Sequence, residues 1–126
     1  QASIGVPCIA AGPGIGGGAV SAALASVHDL AATFLDYAGL TVPVDMDSRS
    51  LRPLLQGDRS THRDYVVSGL LDWDLVWDGR YKLVLGREDG PELYDLETDP
   101  WEDQNIAADA TGELARLQGL LRAELG

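Results

Sequence analysis

The sequence holds one cysteine, one phenylalanine, one methionine and two histidines in 126 residues. A single thiol rules out an internal disulfide and a thiolate metal cage, and the setting of Cys8 in VPCIA reads as a small apolar residue. Basic residues are also scarce. Nine Lys+Arg against 20 Asp+Glu leave a net charge of -11, which repels nucleic acid and anionic membrane surfaces and argues against both as partners. No apolar run reaches the roughly 18 residues that cross a bilayer, so no membrane span is expected, and the front of the chain lacks the charged and apolar regions of a signal peptide. Nothing in the sequence assigns a compartment. The chain opens on Gln1 and not on Met, which reads as a fragment trimmed from something larger. The 45% hydrophobic content is enough for the core of one domain, or of one and a half small ones.

Glycine is plentiful and locally concentrated. Ala10 to Val20 reads AAGPGIGGGAV, and Gly12 to Gly17 satisfies G-x-G-x-x-G letter for letter. A dinucleotide loop of that pattern aims backbone N–H groups and a helix N-terminus at a pyrophosphate, with a strand before it and an acid about 20 residues on. Val6 to Ala10 could serve as the strand and Asp29 or Asp36 as the acid, but Pro13 removes a donor inside the loop. The stretch reads better as a Gly/Pro-rich turn, with nucleotide binding as the alternative.

A helix is expected from Ser26 to Ala38. Ser26 and Asp29 form a capping box, Leu30, Phe34 and Ala38 recur on one face beside Ala31 and Leu35, and Gly39 supplies the left-handed stop. Leu51 to Leu55, ahead of Gly57, reads as one short helical turn, and the polar GDRSTHR after it places a boundary between residues 57 and 58. Beyond it the period falls toward two. Asp64–Leu71, Asp74–Asp78, Tyr81–Leu85 and Glu92–Leu96 are short runs rich in Val, Tyr, Trp and Leu, with Asp78-Gly79 and Asp89-Gly90 at hairpin spacing. That predicts an antiparallel meander of about four strands. Asp99-Pro100-Trp101-Glu102 carries the start signals of a helical turn, and Thr111–Leu125 reads as a last helix whose Leu114, Leu117, Leu121 and Leu125 need a surface such as the sheet.

The acids offer little chemistry by pattern alone. Asp95-x-Glu97-x-Asp99 alternates like a calcium loop but has Pro100 where the turn glycine belongs and Ile106 where a bidentate Glu belongs, so these read as strand-end and cap carboxylates. On an alternating strand Asp72, Asp74 and Asp78 share one face beside Trp73 and Trp77, which reads as a solvated face or a place for a cationic ligand. His28 and His62 have no Ser or Cys at telling spacing.

Set in order, these signals resemble the C-terminal part of a sulfatase of the alkaline-phosphatase superfamily. The family runs through V-P, P-G and V-S-x-x-L-x-S-x-x-D-L-x-x-T-hydrophobic-L-D-x-A-G-L; here those are Val6-Pro7, Pro13-Gly14 and VSAALASVHDLAATFLDYAGL. It continues with D-G-x-S-L-x-P-L-L-x-G, here Asp47 to Gly57, then G-R-Y-K-L at Gly79 to Leu83 and L-Y-D-L-x-x-D-P-x-E-x-x-N-hydrophobic-A at Leu93 to Ala107. Gly5 stands where an arginine is usual. Ser48 stands where the family has glycine, and reads as a change of turn.

The resemblance implies an α+β fold: a roughly four-stranded antiparallel sheet packed by the C-terminal helix, preceded by a strand–turn–helix remnant of an α/β catalytic domain. Residues 1–57 would be the end of that catalytic domain and residues 58–126 the small subdomain. It also implies a Ca²⁺ ion and a formylglycine nucleophile in the intact parent, from positions that precede this stretch; Cys8, in CIAAG, does not match the modified C-x-P-S-R-like motif. The expected role is therefore structural support and one wall of a substrate cleft, inert alone, with the missing N-terminal catalytic domain as partner and self-association through the open edge Val6–Ala10 and the apolar face of helix Ser26 to Ala38, both of which the resemblance assigns to a large sheet whose other strands lie outside this stretch. A free-standing binding or assembly module is the alternative. Trp73, Asp72, Asp74 and His62 are the candidate wall residues, an indole platform with carboxylates to orient hydroxyl or amine groups; packing of Trp73 and Trp77 against Leu117 and Leu121 is the competing assignment.

Overall fold

The computed structural model describes residues 5–58, 60–86 and 90–126, arranged in two compact units, the first of residues 7–64 and the second of residues 65–126 together with 5–6. The first unit contains helix α1 (Asp29–Tyr37) and the one-turn helix α2 (Arg52–Leu55). The second contains strands β1 (Val66–Leu70), β2 (Trp73–Trp77), β3 (Tyr81–Gly86) and β4 (Pro91–Asp95), then helix α3 (Thr111–Leu125). The strands form one antiparallel sheet in the order β1-β2-β3-β4. The meander and the last helix therefore stand where the periodicity put them.

In the first unit a buried carboxylate organises the chain. Asp29 is fully buried and its two oxygens accept from five donors: the backbone N–H of Ser26 (2.9 Å) and Arg49 (2.9 Å), His62 Nε2 (3.0 Å), Arg63 Nε (2.8 Å) and Arg63 Nη2. Burial pushes the Asp29 carboxyl up, but the hydrogen bonds from Arg63, Ser26 and Arg49 and the Arg63 charge outweigh it and hold the group well below the ordinary carboxylate range. Only half of the capping box forms. Asp29 reaches back to the Ser26 N–H, whereas the Ser26 hydroxyl turns to His28, and the helix starts at Asp29, three residues later than expected.

Three more side chains fasten the same side of α1. The Ser48 hydroxyl donates to the His28 carbonyl (2.5 Å) and accepts from the Ala32 N–H (2.9 Å), inserting itself into the helix ladder. Thr33 Oγ1 accepts from the Leu51 N–H (2.8 Å), and Asp36 accepts from Ser50 Oγ (2.6 Å) and Arg52 Nη1 (3.0 Å). Ser48 is thus a buried tie and more than a change of turn. At the far end Gly39 takes φ +71°, its N–H donating to Asp36 O and that of Leu40 to Leu35 O, the paired bonds of a Schellman stop.

One expectation fails in this unit, and the glycine stretch forms the turn expected of it. Val6–Ala10 is exposed and forms no strand, because a strand needs a neighbour's hydrogen bonds and none of the described residues supplies them. No helix opens at the third glycine of GPGIGG; the first begins at Asp29. The glycine stretch is a turn, with Ile15 N donating to Gly12 O (3.2 Å) and Gly14 and Gly18 at positive φ.

In the second unit the core lies between α3 and one face of the sheet: Val76, Leu83, Leu93 and Ala107 against Leu117 and Leu121. The Asp78-Gly79 hairpin forms as read, Gly79 at φ +98° and Asp78 Oδ1 accepting from the N–H of Arg80 and Tyr81. Of the Asp89-Gly90 turn, Asp89 lies outside the described residues; Gly90 has φ +76°. Asp99 caps the N–H of Asp103 and Gln104, and the expected turn closes with the Glu102 N–H donating to Asp99 O (3.2 Å), but Glu102 itself turns left-handed at φ +64° and no helix continues from it. Beyond it Asn105 closes the outer side of β4: its Oδ1 accepts from the N–H of Leu93 and Ala107, its Nδ2 donates to Pro91 O, and Ile106 N donates to Leu93 O.

Replacing Asp29 by Ala strands the Arg63 charge and the His62 ring, and should cost about 3–5 kcal/mol of stability. The pH dependence has a fixed sign. A carboxyl whose folded pKa is depressed contributes stability that is present above its unfolded pKa and lost as pH falls below it. In urea denaturation the gap between the wild type and Asp29→Asn should therefore be widest near neutrality and narrow below about pH 4; a gap independent of pH would contradict the ionised hub. Asn105→Ala leaves the Leu93 N–H without its acceptor and should cost about 1–3 kcal/mol, with faster amide exchange at Leu93 and Ala107 as the local readout.

Candidate functional site

The wall residues expected from the sequence fall at the β1–β2 hairpin, except His62. Leu70 pairs with Trp73, so only Leu71 and Asp72 make the turn. Such turns favour glycine where φ is positive, yet Leu71 adopts φ +57° with its side chain 90% exposed, and the neighbouring Leu70 is exposed too. A left-handed leucine costs on the order of 1 kcal/mol. The absence of a glycine or asparagine explains why this hairpin gave no turn signal in the sequence.

Strand alternation separates the candidates. Val76 belongs to the core against α3, so Asp74 and Asp78 lie on that same face of β2, and Trp73, Leu75 and Trp77 lie on the opposite one. The tryptophans do not pack against Leu117 and Leu121; that assignment is overturned by the register, which gives the α3 side to Val76. Asp74 folds over its cross-strand neighbour Gly69, where a Cβ would stand 2.7 Å from its Oδ1. Asp78 pairs with Arg116 on α3, and although burial raises its carboxyl, that bond and the N–H groups of Arg80 and Tyr81 hold it below its ordinary range. Asp72 sits exposed in the turn itself. His62 is in the first unit, its Nε2 on the Asp29 carboxylate.

The face carrying Trp73 continues into a polar cluster that the sequence did not single out. Lys82, opposite Trp77 in the register, is buried, and its Nζ donates to Glu102 Oε2 and lies 5.7 Å from the Tyr94 ring. Tyr94 donates to Glu92 (2.8 Å), and burial first, then that carboxylate, pushes its hydroxyl up to about 12. Nothing in G-R-Y-K-L marks Lys82 as buried, so no local signal would have found this cluster.

The acids of the Asp95-x-Glu97-x-Asp99 stretch have partners. Asp95 accepts from Arg80 Nε (3.1 Å) and Nη2 (2.7 Å), and Asp99 from two backbone N–H groups. Among the described residues no three His, Cys, Asp or Glu side chains come together as a metal site.

Comparison with known proteins accounts for these motifs. The family described as N-sulphoglucosamine sulphohydrolase, C-terminal, matches residues 1–125. Arylsulfatase K of Xenopus laevis is 28% identical over 140 residues, covering 98% of this chain and 26% of its own. Delta 4,5-hexuronate-2-O-sulfatase of Bacteroides thetaiotaomicron is 37% identical over 94 residues, covering 64% of this chain and 19% of its own. Among solved structures, a 2-O GAG sulfatase superposes with a TM-score of 0.71 at 34% identity, over 77% of this chain and 24% of that one. The chain thus spans about a quarter or less of the length of these relatives. With the meander, its closing helix and the ordered motifs all accounted for, the chain belongs to the N-sulphoglucosamine sulphohydrolase C-terminal family, as the C-terminal region of a sulfatase.

Proposed function

We propose that this chain serves a sulfuric ester hydrolase as its structural C-terminal region and as one wall of its substrate cleft, and that it is inert alone. The observation that carries the reading is the match of the whole chain to the C-terminal part of proteins about four times longer. Residues 1–57 would close the catalytic domain and residues 58–126 would form the small subdomain; the bonds of His62 and Arg63 to Asp29 favour counting the linking segment with the former. Sulfatases of this superfamily use Ca²⁺ and a formylglycine, and the residues present fit neither group. No donor set converges among the described residues, and Cys8 stands exposed in CIAAG, outside any modification motif. The missing catalytic domain is the proposed partner.

The isolated chain should accordingly hydrolyse no aryl sulfate and bind Ca²⁺ no better than any acidic surface. Turnover above blank that disappears on replacing Cys8 would overturn this. Without its partner the chain should also self-associate through its open apolar surface, and a strict monomer in sedimentation at high concentration would contradict that part.

Within the parent, Trp73 with Asp72 is proposed to face substrate. Two of the relatives, the hexuronate-2-O-sulfatase and the 2-O GAG sulfatase, are named for sulfated sugars, and an indole offers a flat apolar platform for a sugar ring beside a carboxylate that can accept from its hydroxyls. In the parent, Trp73→Ala should raise KM about tenfold, or ~1.4 kcal/mol, with an unchanged melting transition. Loss of about 3 kcal/mol or more of stability, the usual cost of emptying a core aromatic site, would instead assign Trp73 to packing.

A further inference from the structure

The sheet end at the β1–β2 turn is acidic, and the described cations of the second unit are engaged or placed elsewhere. Asp72 is exposed in that turn and, among the described residues, has no hydrogen-bond or ion-pair partner. Asp74 adds a second carboxylate two residues on, its Oδ1 held over Gly69. Arg80 stands beside the Asp78-Gly79 hairpin, at the other end of β2, and bonds to Asp95 (3.1 and 2.7 Å) and Glu97 (3.2 Å). Lys82 is buried with its Nζ on Glu102, and Arg116 pairs with Asp78 and Glu113. Arg122 belongs to α3, which packs on the face of the sheet opposite Trp73. Residues 87–89, Arg-Glu-Asp, lie outside the described residues and carry in sequence one cation against two acids.

We propose that Asp72 is a charge filter of the sulfatase cleft: it disfavours sulfate esters that carry a second anionic group and favours those whose other groups are neutral or cationic. This rests on the function proposed above, in which Trp73 with Asp72 faces substrate, and names the substrate class that such a wall admits. The effect is Coulombic. A substrate seated on the indole brings its remaining substituents close to a carboxylate that no described cation offsets, and two like charges about 4 Å apart repel enough to change an affinity severalfold or more. The indole acts in the same sense, because the face of its ring attracts cations. Selectivity of this kind comes from repelling the wrong ligand as much as from attracting the right one.

The test uses the full-length parent with 4-nitrophenyl sulfate and two derivatives, one carrying a carboxylate and one a trimethylammonium group on the ring. Comparing each variant with the wild type cancels the intrinsic reactivity of the three esters. In Asp72→Asn, kcat/KM for the carboxylate ester should rise about tenfold relative to the neutral ester, and that for the ammonium ester should fall by a similar factor. Both changes should shrink between about 0.05 and 0.5 M salt, as screening shortens the reach of the charge. Asp109→Asn, an exposed acid elsewhere in the same unit, makes the same change of net charge and should leave the ratios as they are. Ratios unmoved by Asp72→Asn, or moved equally by Asp109→Asn, would overturn the filter and leave the sulfatase reading intact. A parent that hydrolyses none of the three esters sinks the proposed function and the filter with it.

Discussion

One buried charge holds the first half of this chain together. The Asp29 carboxylate gathers the start of α1, the Arg49 backbone and the His62-Arg63 segment around a single pair of oxygens. An isolated carboxylate in that position would be intolerable, and it is stable only because five donors replace the water it has lost. Because four of those donors come from sequence positions 20 to 34 residues away, the interaction does the work that an apolar core does elsewhere. Among the described residues there, apart from Ala32 and Leu51, the buried ones are polar: Asp29, Thr33 and Ser48.

The second half is stabilised in the ordinary way, by leucine and valine packed between a helix and a sheet. The contrast explains why one half was legible in the sequence and the other only in outline. Period-two runs and a four-leucine stripe announced β1 to β4 and α3, because burial there is a matter of which residues are apolar. The helix around Phe34 was equally visible as a helix, but its apolar periodicity pointed to the side that the structure leaves bare. Nothing local in DLAATFLDY says that Asp29 and Thr33 face inward; that depends on Ser48, Leu51, His62 and Arg63, which no periodicity connects to it.

The candidate site was legible to a similar degree. Trp73 and Trp77 do share a face, as their spacing implies, but of the two assignments that the sequence allowed, packing against Leu117 and Leu121 falls on the wrong side of the sheet. The reason is the Leu71-Asp72 turn, whose left-handed leucine carries none of the usual glycine or asparagine signature, so the start of β2 and the placement of Asp72 could not be read. His62 was grouped with the wall residues because nothing local ties it to Asp29, its partner 33 positions upstream. The Lys82–Glu102 pair was hidden for the opposite reason: a lysine in a strand reads as solvent-facing by default.

The clamp at β4 has one more consequence. With Asn105 and Ile106 occupying the outer hydrogen-bonding groups of that strand, β1 is the sheet margin that, among the described residues, no neighbouring strand covers. A sheet open at both margins can be extended without limit, copy upon copy, into a fibre. A sheet open at one margin can only meet another like itself, edge to edge about a two-fold axis, and that encounter consumes the free margin of both partners. With Asn105 and Ile106 in place together, growth through this sheet would stop at a pair.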